Sequence, residues 1–210
     1  MSQTDRKTRR RKEERPAEIM TAGLAAFAEK GFAATRLEDV AESAGVSKAT
    51  IYLYFDSKAD LLKAILRETI SPQIGEIEAV FEGFDGPSSE LLRMLYARAT
   101  MVVSMPVVRS ILKLIISESG NFPDIVEFYR TEVAFRGLHT IARLIERGVE
   151  RGEFRPCDPV ATAQSVIFPV LMNTIAIEVF GTQPELDQSK LFPSHIEFAL
   201  RGLAADREVA

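Results

Sequence analysis

The sequence predicts an all-α protein, with a helix-turn-helix near its N-terminus and a larger helical body behind it. Three observations predict this. Residues 34–58 hold two short helical stripes divided by a glycine stop and a serine start. Beyond them, apolar residues recur at helical spacing, with neither strand-like alternation nor an internal repeat. At 210 residues and 46% hydrophobic composition, the chain can bury the core of a small head plus a larger body.

The first 15 residues contain Arg6, Lys7, Arg9, Arg10, Arg11, Lys12 and Arg15 and no apolar cluster to order them, which predicts a disordered basic arm. Two roles stay open for it: a contact with phosphates or a minor groove, and a solvated tail. The first helix is expected from about Glu14 to Lys30, with Pro16 tolerated in its first turn and Gly31 closing it. Ile19, Gly23, Ala26 and Phe27 form its inward stripe, and Phe32 plugs the head.

The second helix is expected to start at Thr35, whose hydroxyl pairs with Glu38 three residues on in a capping box. Val40, Ala41 and Ala44 give it an apolar stripe, and Gly45 supplies a left-handed C-terminal cap. Ser47 is the next N-cap, so the chain must turn sharply between the two helices. At about 100° per residue, Ile51 and Phe55 face inward in the third helix. Lys48 with Tyr52 and Thr50 with Tyr54 lie on its flanks, and Ala49 and Leu53 point outward. A leucine and two tyrosines left in water have no packing logic. They gain one if the face enters a major groove, where Ala49 permits close approach, apolar groups meet thymine methyls and Lys48 reaches a guanine edge. Thr50, Tyr54 and Lys58 then stand where donors clamp phosphates.

The fourth helix starts near Lys58, carries Leu61, Leu62, Ile65 and Leu66, and meets Pro72, which must kink or break it. Further helices are expected over about Ser88 to Ser104, Pro106 to Glu118, Pro123 to Arg151 with Gly152 at its exit, Asp158 to Phe180, and Pro193 to Ala205. That makes about nine in all.

The net charge of −4 divides unevenly along the chain. Residues 1–58 carry 11 basic and 9 acidic side chains, whereas residues 59–210 carry 15 and 21, so positive charge gathers at the head. No glycine-rich phosphate loop and no paired histidine–carboxylate motif occurs, and the two histidines lie far apart. The sequence therefore names no catalytic residue, no metal ligand and no cofactor, and catalysis is not expected. Cys157, the single cysteine, forms neither an internal disulfide nor a zinc motif and reads as a bystander thiol. No run is expected to approach the length of a membrane span and the N-terminus lacks a signal-peptide core, so a cytoplasmic protein with no membrane partner is expected.

The runs Gly31-Phe32-Ala33-Ala34-Thr35, Asp39-Val40-Ala41, Ala44-Gly45-Val46-Ser47-Lys48-Ala49-Thr50-Ile51-Tyr52-Leu53-Tyr54-Phe55 and Ser57-Lys58-Ala59-Asp60-Leu61-Leu62 resemble the N-terminal domain of TetR/AcrR-type transcriptional regulators. The likeness covers about residues 15 to 66. It implies an all-α homodimer in which a three-helix DNA-binding head is joined to a helical ligand-binding and dimerisation domain. By position, the DNA-binding residues are Thr35, Arg36, Ser47, Lys48, Ala49, Thr50, Tyr52, Leu53, Tyr54 and Lys58. Arg36 departs from the pattern, which often has a second threonine there. Such an arginine adds a phosphate contact and leaves the capping duty to Thr35. The domain limits that follow are 1–15 for the arm, 16–62 for the DNA-binding domain and 63–210 for the ligand-binding and dimerisation domain.

Further along, Ser119-Gly120-Asn121-Phe122-Pro123, Phe128-Tyr129 and the stretch from Gly148 to Phe154 resemble a subgroup with an AefR-like C-terminal domain. The resemblance implies double-stranded operator DNA and an apolar or amphipathic small-molecule inducer as partners. Its pocket is expected to use Met101, Met105, Phe122, Phe128, Phe135, Phe168 and Met172 as an adaptable apolar wall, with Tyr129, His139 and Asn173 as orienting groups. It also implies dimerisation through the last two helices, here through Val166, Val170, Ile177, Phe180, Ile196, Phe198, Leu200 and Leu203. The expected function is a repressor that binds a palindromic operator and leaves it when the inducer binds, with Pro72 as the joint between head and body. The alternative is an architectural or partner-recruiting helix-turn-helix protein that senses no ligand.

Overall fold

The computed structural model describes residues 3–205, with side chains from residue 15 onward. Among the described residues the chain is helical, apart from turns and one isolated antiparallel bridge between Phe154 and Ala204. The helices are α1 (Gln3–Lys30), α2 (Leu37–Ser43), α3 (Lys48–Tyr52), α4 (Lys58–Thr69), α5 (Ser71–Gly83), α6 (Ser88–Ser104), α7 (Pro106–Glu118), α8 (Pro123–Tyr129), α9 (Phe135–Glu150), α10 (Pro159–Phe180) and α11 (Gln188–Leu203). Two of the predicted helices each carry an interruption, which gives eleven α-helical segments. The expected break near Pro72 falls at Ile70, so Pro72 sits in the first turn of α5, where its missing N–H costs no helical bond. A π-helical turn, Arg130–Ala134, separates α8 from α9.

Two boundaries differ from expectation. The backbone of α1 begins at Gln3, not near Glu14, because arginine, lysine and glutamate are good helix formers even with no core to face. The contacts expected of the basic arm involve side chains that, before Arg15, lie outside the described residues. α11 starts at Gln188, where the Asp187 carboxylate accepts from the Ser189 N–H at 2.9 Å. That cap precedes Pro193, which the helix then carries inside it.

The described chain divides into two compact units. The first is Met1–Thr69 with Leu114–Tyr129, and the second is Ile70–Lys113 with Arg130–Ala210. In the first, Ile19 and Phe27 of α1, Val40 and Ala41 of α2, Ile51 of α3 and Leu61, Leu62, Ile65 and Leu66 of α4 form the core. Gly23 lets α1 and α4 meet closely, since a Cβ there would lie 2.7 Å from Leu61 Cδ2. Phe32 is fully buried, with Phe27 5.1 Å away on one side and Phe122 4.7 Å away, edge-on, on the other.

The second unit is built around α9 and α10, whose Leu144, Ile145, Ala163, Val166 and Val170 pack with Leu91, Leu92, Leu95 and Tyr96 of α6 and Phe192, Ile196, Leu200 and Leu203 of α11. Arg136 makes a forked pair with Glu78 at 2.6 and 3.1 Å, and Arg93 does the same with Glu197 at 2.9 and 3.2 Å. Cys157 is half-buried against this core. One expectation fails here: α10, at 22 residues and a mean hydropathy of 1.6 over its best stretch, is long and apolar enough to cross a membrane. Its composition has another explanation in this fold. One side is core, and the other carries Phe168, Met172, Val179 and Phe180 on the surface of the chain.

Candidate nucleic-acid interface

The helix-turn-helix forms as its sequence requires, with one shift in the capping. Gly45 takes a left-handed φ of 64°, and the Val46 N–H returns to the Ala41 carbonyl at 2.9 Å, closing α2. Ser47 caps α3: its Oγ accepts from the Thr50 N–H at 3.1 Å and lies 2.8 Å from the Thr50 hydroxyl. The capping pair of α2, however, is Arg36 with Asp39 and not Thr35 with Glu38. The Arg36 N–H donates to Asp39 Oδ2 at 3.3 Å. An arginine has no acceptor to return, so only half of the reciprocal box exists.

This shift changes the role of Thr35. The residue is 1% exposed, and its hydroxyl donates to the carbonyls of Gly31 at 2.7 Å and Ala26 at 3.2 Å. It fastens the chain to the end of α1 and is not available to DNA. Lys58 is a second correction. Its ammonium donates to the carbonyl oxygens of Phe32 and Ala33, each at 2.7 Å, and of Thr35 at 3.1 Å, which occupies all three of its hydrogens. It also lies 4.8 Å from the Phe32 ring centroid and 5.7 Å from that of Phe122. Lys58 is therefore a fastener of the loop after α1, where the sequence suggested a phosphate clamp.

The outward face of α3 is as the helical spacing predicts. Leu53, the C-cap residue, is 80% exposed, and Lys48 and Ala49 are exposed beside it. Tyr52 is 42% exposed and Tyr54 half-buried, its ring 6.5 Å from that of Phe55. Ile51 and Phe55 are buried and anchor the segment. α3 itself is only five residues long, so Leu53 and Tyr54 belong to the turn that follows it. Arg36 is exposed at the start of α2.

Glu38, which the sequence reading spent on a cap, instead joins this face. Its Oε1 is 2.7 Å from the Lys48 ammonium and accepts from the Tyr52 hydroxyl at 3.3 Å. The Lys48 hydrogen bond holds the Glu38 carboxyl below its ordinary range, and the same bond holds the Lys48 ammonium above its own. Nothing in the spacing of positions 38 and 48 announces the pair, because the turn between α2 and α3 creates it.

The ten residues expected to line a ligand pocket fall in both units, three in the first and seven in the second. Phe122, Phe128 and Tyr129 belong to the first unit, where Phe122 packs edge-on to Phe32 and Phe128 lies under the Arg67 guanidinium at 4.7 Å. Burial pushes the Tyr129 phenol up to about 12. In the second unit Met101, Met105, Phe135, His139, Phe168 and Met172 are exposed on the chain. Asn173 alone of that group is buried, and its Oδ1 has no partner among the described residues. Helical spacing identified Phe168 and Met172 as one face of α10, but not which face. The residues expected at a dimer contact show the converse error. Val166, Val170, Ile196, Leu200 and Leu203 are core, whereas Phe180 and Phe198 are exposed, Phe198 at 77%.

With the geometry in place, the chain can be compared with known proteins. Residues 19–65 match the family model described as bacterial regulatory proteins, tetR family, and residues 90–199 match that of the AefR-like transcriptional repressor, C-terminal domain. The chain is 25% identical to the uncharacterized HTH-type transcriptional regulator YfiR of Bacillus subtilis, over 96% of this chain and 98% of that one. Among solved structures, it is similar to FadR of Bacillus subtilis in complex with stearoyl-CoA, at a TM-score of 0.69 and 19% identity, covering 89% of this chain and 98% of the other. It is similar as well to SmeT in its triclosan complex, at a TM-score of 0.75 and 24% identity, covering 91% and 92%.

Proposed function

Because this chain belongs to the tetR family of bacterial regulatory proteins, with an AefR-like C-terminal domain, we propose that it acts as a dimeric repressor that a small molecule releases from a palindromic operator. The observation that carries the reading is the outward face of α3: Leu53, at its C-cap and next to Lys48, Ala49 and Tyr52, is 80% exposed while Ile51 is buried on the opposite face. A head alone gains nothing from that leucine in water, whereas a major groove offers thymine methyls to it and purine edges to Lys48. In this reading Lys48, Ala49, Tyr52 and Leu53 approach bases. Ser47, Thr50, Tyr54 and Arg36 flank them where phosphates run.

Dimerisation would use α10 and α11, which leave Phe168, Met172, Val179, Phe180 and Phe198 exposed on the chain. Phe168 and Met172 thus move from the pocket wall to the subunit contact. An apolar or amphipathic inducer is supported by the relatives in this fold, since FadR is described with stearoyl-CoA and SmeT with triclosan. Asn173 supplies a buried acceptor that such a ligand's donor would satisfy. Pro72, in the first turn of α5 beside the break at Ile70, is the joint we assign to the release step. Pro72→Ala should alter the inducer response; retained operator affinity with a retained response would remove that role.

The reading is tested by recovering duplexes that the purified protein selects at a stated salt concentration, then screening long-chain acyl thioesters and apolar phenols for release. With no tryptophan in the chain, binding is followed by thermal shift. Selection of one palindrome and its release by such a compound supports the reading. A palindrome-selecting protein that no compound releases or stabilises would overturn the sensing half of it.

A further inference from the structure

The DNA-facing surface contains an acid that works against binding DNA as such. Glu38 lies in the first turn of α2, yet Asp39, not Glu38, takes the capping N–H. The Glu38 carboxylate crosses to the next helix, where one oxygen meets both the Lys48 ammonium at 2.7 Å and the Tyr52 hydroxyl at 3.3 Å. The ammonium in turn lies 6.0 Å from the Tyr52 ring centroid. Three side chains thus converge at one point, two of them the polar groups assigned to base edges. Non-specific affinity comes from cations that neutralise phosphates and release counterions. A carboxylate that neutralises one of those cations weakens such binding on every sequence alike.

We propose that Glu38 is the specificity-determining positioning residue of this interface: it holds Lys48 and Tyr52 in one arrangement and yields Lys48 only to a duplex that offers a better acceptor. A guanine edge, with two acceptors in the major groove, is such a partner. On a duplex without one at that position, Lys48 stays on Glu38 and its charge is withheld from the DNA. Glu38 thereby lowers affinity for random DNA more than affinity for the operator, and the ratio between them rises. The inference rests on the reading that the α3 face meets DNA.

The test compares the full-length protein with Glu38→Gln, which keeps side-chain size and an acceptor for Tyr52 while removing the charge. Affinities for a selected duplex and for a scrambled duplex of equal length are measured across a salt series. The variant should bind the scrambled duplex several-fold more tightly and steepen its logarithmic salt slope by about 0.9, the value for one more neutralised phosphate. Discrimination between the two duplexes should fall by about fivefold, the low end of what one base contact supplies. A residue that merely held the fold would weaken both duplexes together, along with thermal stability. In a Lys48→Gln background the slope change should vanish, since the freed cation is gone. Unchanged discrimination and slope in Glu38→Gln, or a slope change that survives in the Lys48→Gln background, would overturn the proposal. An unsubstituted chain that fails to tell the duplexes apart would overturn the DNA reading itself, whereas a discriminating chain indifferent to Glu38→Gln would sink this inference alone.

Discussion

The ammonium of Lys58 donates to the carbonyl oxygen of Phe32 at 2.7 Å and lies 4.8 Å from the ring centroid of the same residue. With the Ala33 and Thr35 carbonyls also taken, the charge is satisfied inside the head. Lys58→Met should therefore lower the stability of the head by roughly 1.5 to 3 kcal/mol, the range for hydrogen bonds to a charged group. The salt slope of DNA binding should change by much less than the 0.9 or so of a lost phosphate contact. Denaturant unfolding and a salt titration check both, and a full unit of lost slope at unchanged stability would restore Lys58 to the phosphate backbone.

Ser47 anchors the first turn of a helix only five residues long. Its hydroxyl satisfies the Thr50 N–H, so Ser47→Ala should cost about 1 kcal/mol and Ser47→Asp only a fraction of that. Because α3 has so few bonds of its own, the loss should appear in DNA affinity as well as in thermal melting.

Gly148 stands inside α9, where alanine would ordinarily gain about 1 kcal/mol in helix propensity. Here a Cβ would overlap the ring of Phe154, which packs on that glycine from the turn after Gly152. Overpacking of this kind costs about 1 to 3 kcal/mol and reverses the sign. Gly148→Ala should therefore melt at a lower temperature than the parent.

Tyr96 is 2% exposed, and its hydroxyl has no partner among the described residues. Burial raises its phenol from an ordinary 10.0 to about 12. A raised value means that the folded chain keeps the phenol neutral at a pH where the unfolded chain ionises it. The contribution is whole below pH 10 and is lost as pH rises toward 12. Tyr129 shifts the same way, so stability should fall steeply across that window. Tyr96→Phe should unfold about 1 kcal/mol later at neutral pH, because an unsatisfied buried hydroxyl is removed, and should show a shallower alkaline loss.

The all-α fold and most helix limits were legible because helical spacing, Gly31, Gly45 and Ser47 are local signals. The outward face of α3 was legible for the same reason: Lys48, Ala49 and the C-cap Leu53 differ in phase from Ile51. What escaped were relations set by tertiary contact. Thr35 sits one residue before the true N-cap, and both it and Asp39 suit a capping box, so packing against Gly31 and Ala26 decided between them. Lys58 and Glu38 bear charge beside α3, and only the path of the backbone shows that one charge serves carbonyls and the other serves Lys48. On α10 the period of the apolar residues gave two faces but not their destinations. Val166 and Val170 went to the core, and Phe168 and Met172 to the surface.

The central claim, that the outward face of α3 reads DNA as half of a dimer, is tested most directly by hydroxyl-radical footprinting on the duplex the protein selects. The account predicts two protected windows centred about 34 to 36 Å apart, one helical turn of DNA. It predicts that both fade in Leu53→Ser, whose exposed position leaves thermal stability unchanged. A single or uniform zone of protection, or an identical footprint from Leu53→Ser, would contradict it.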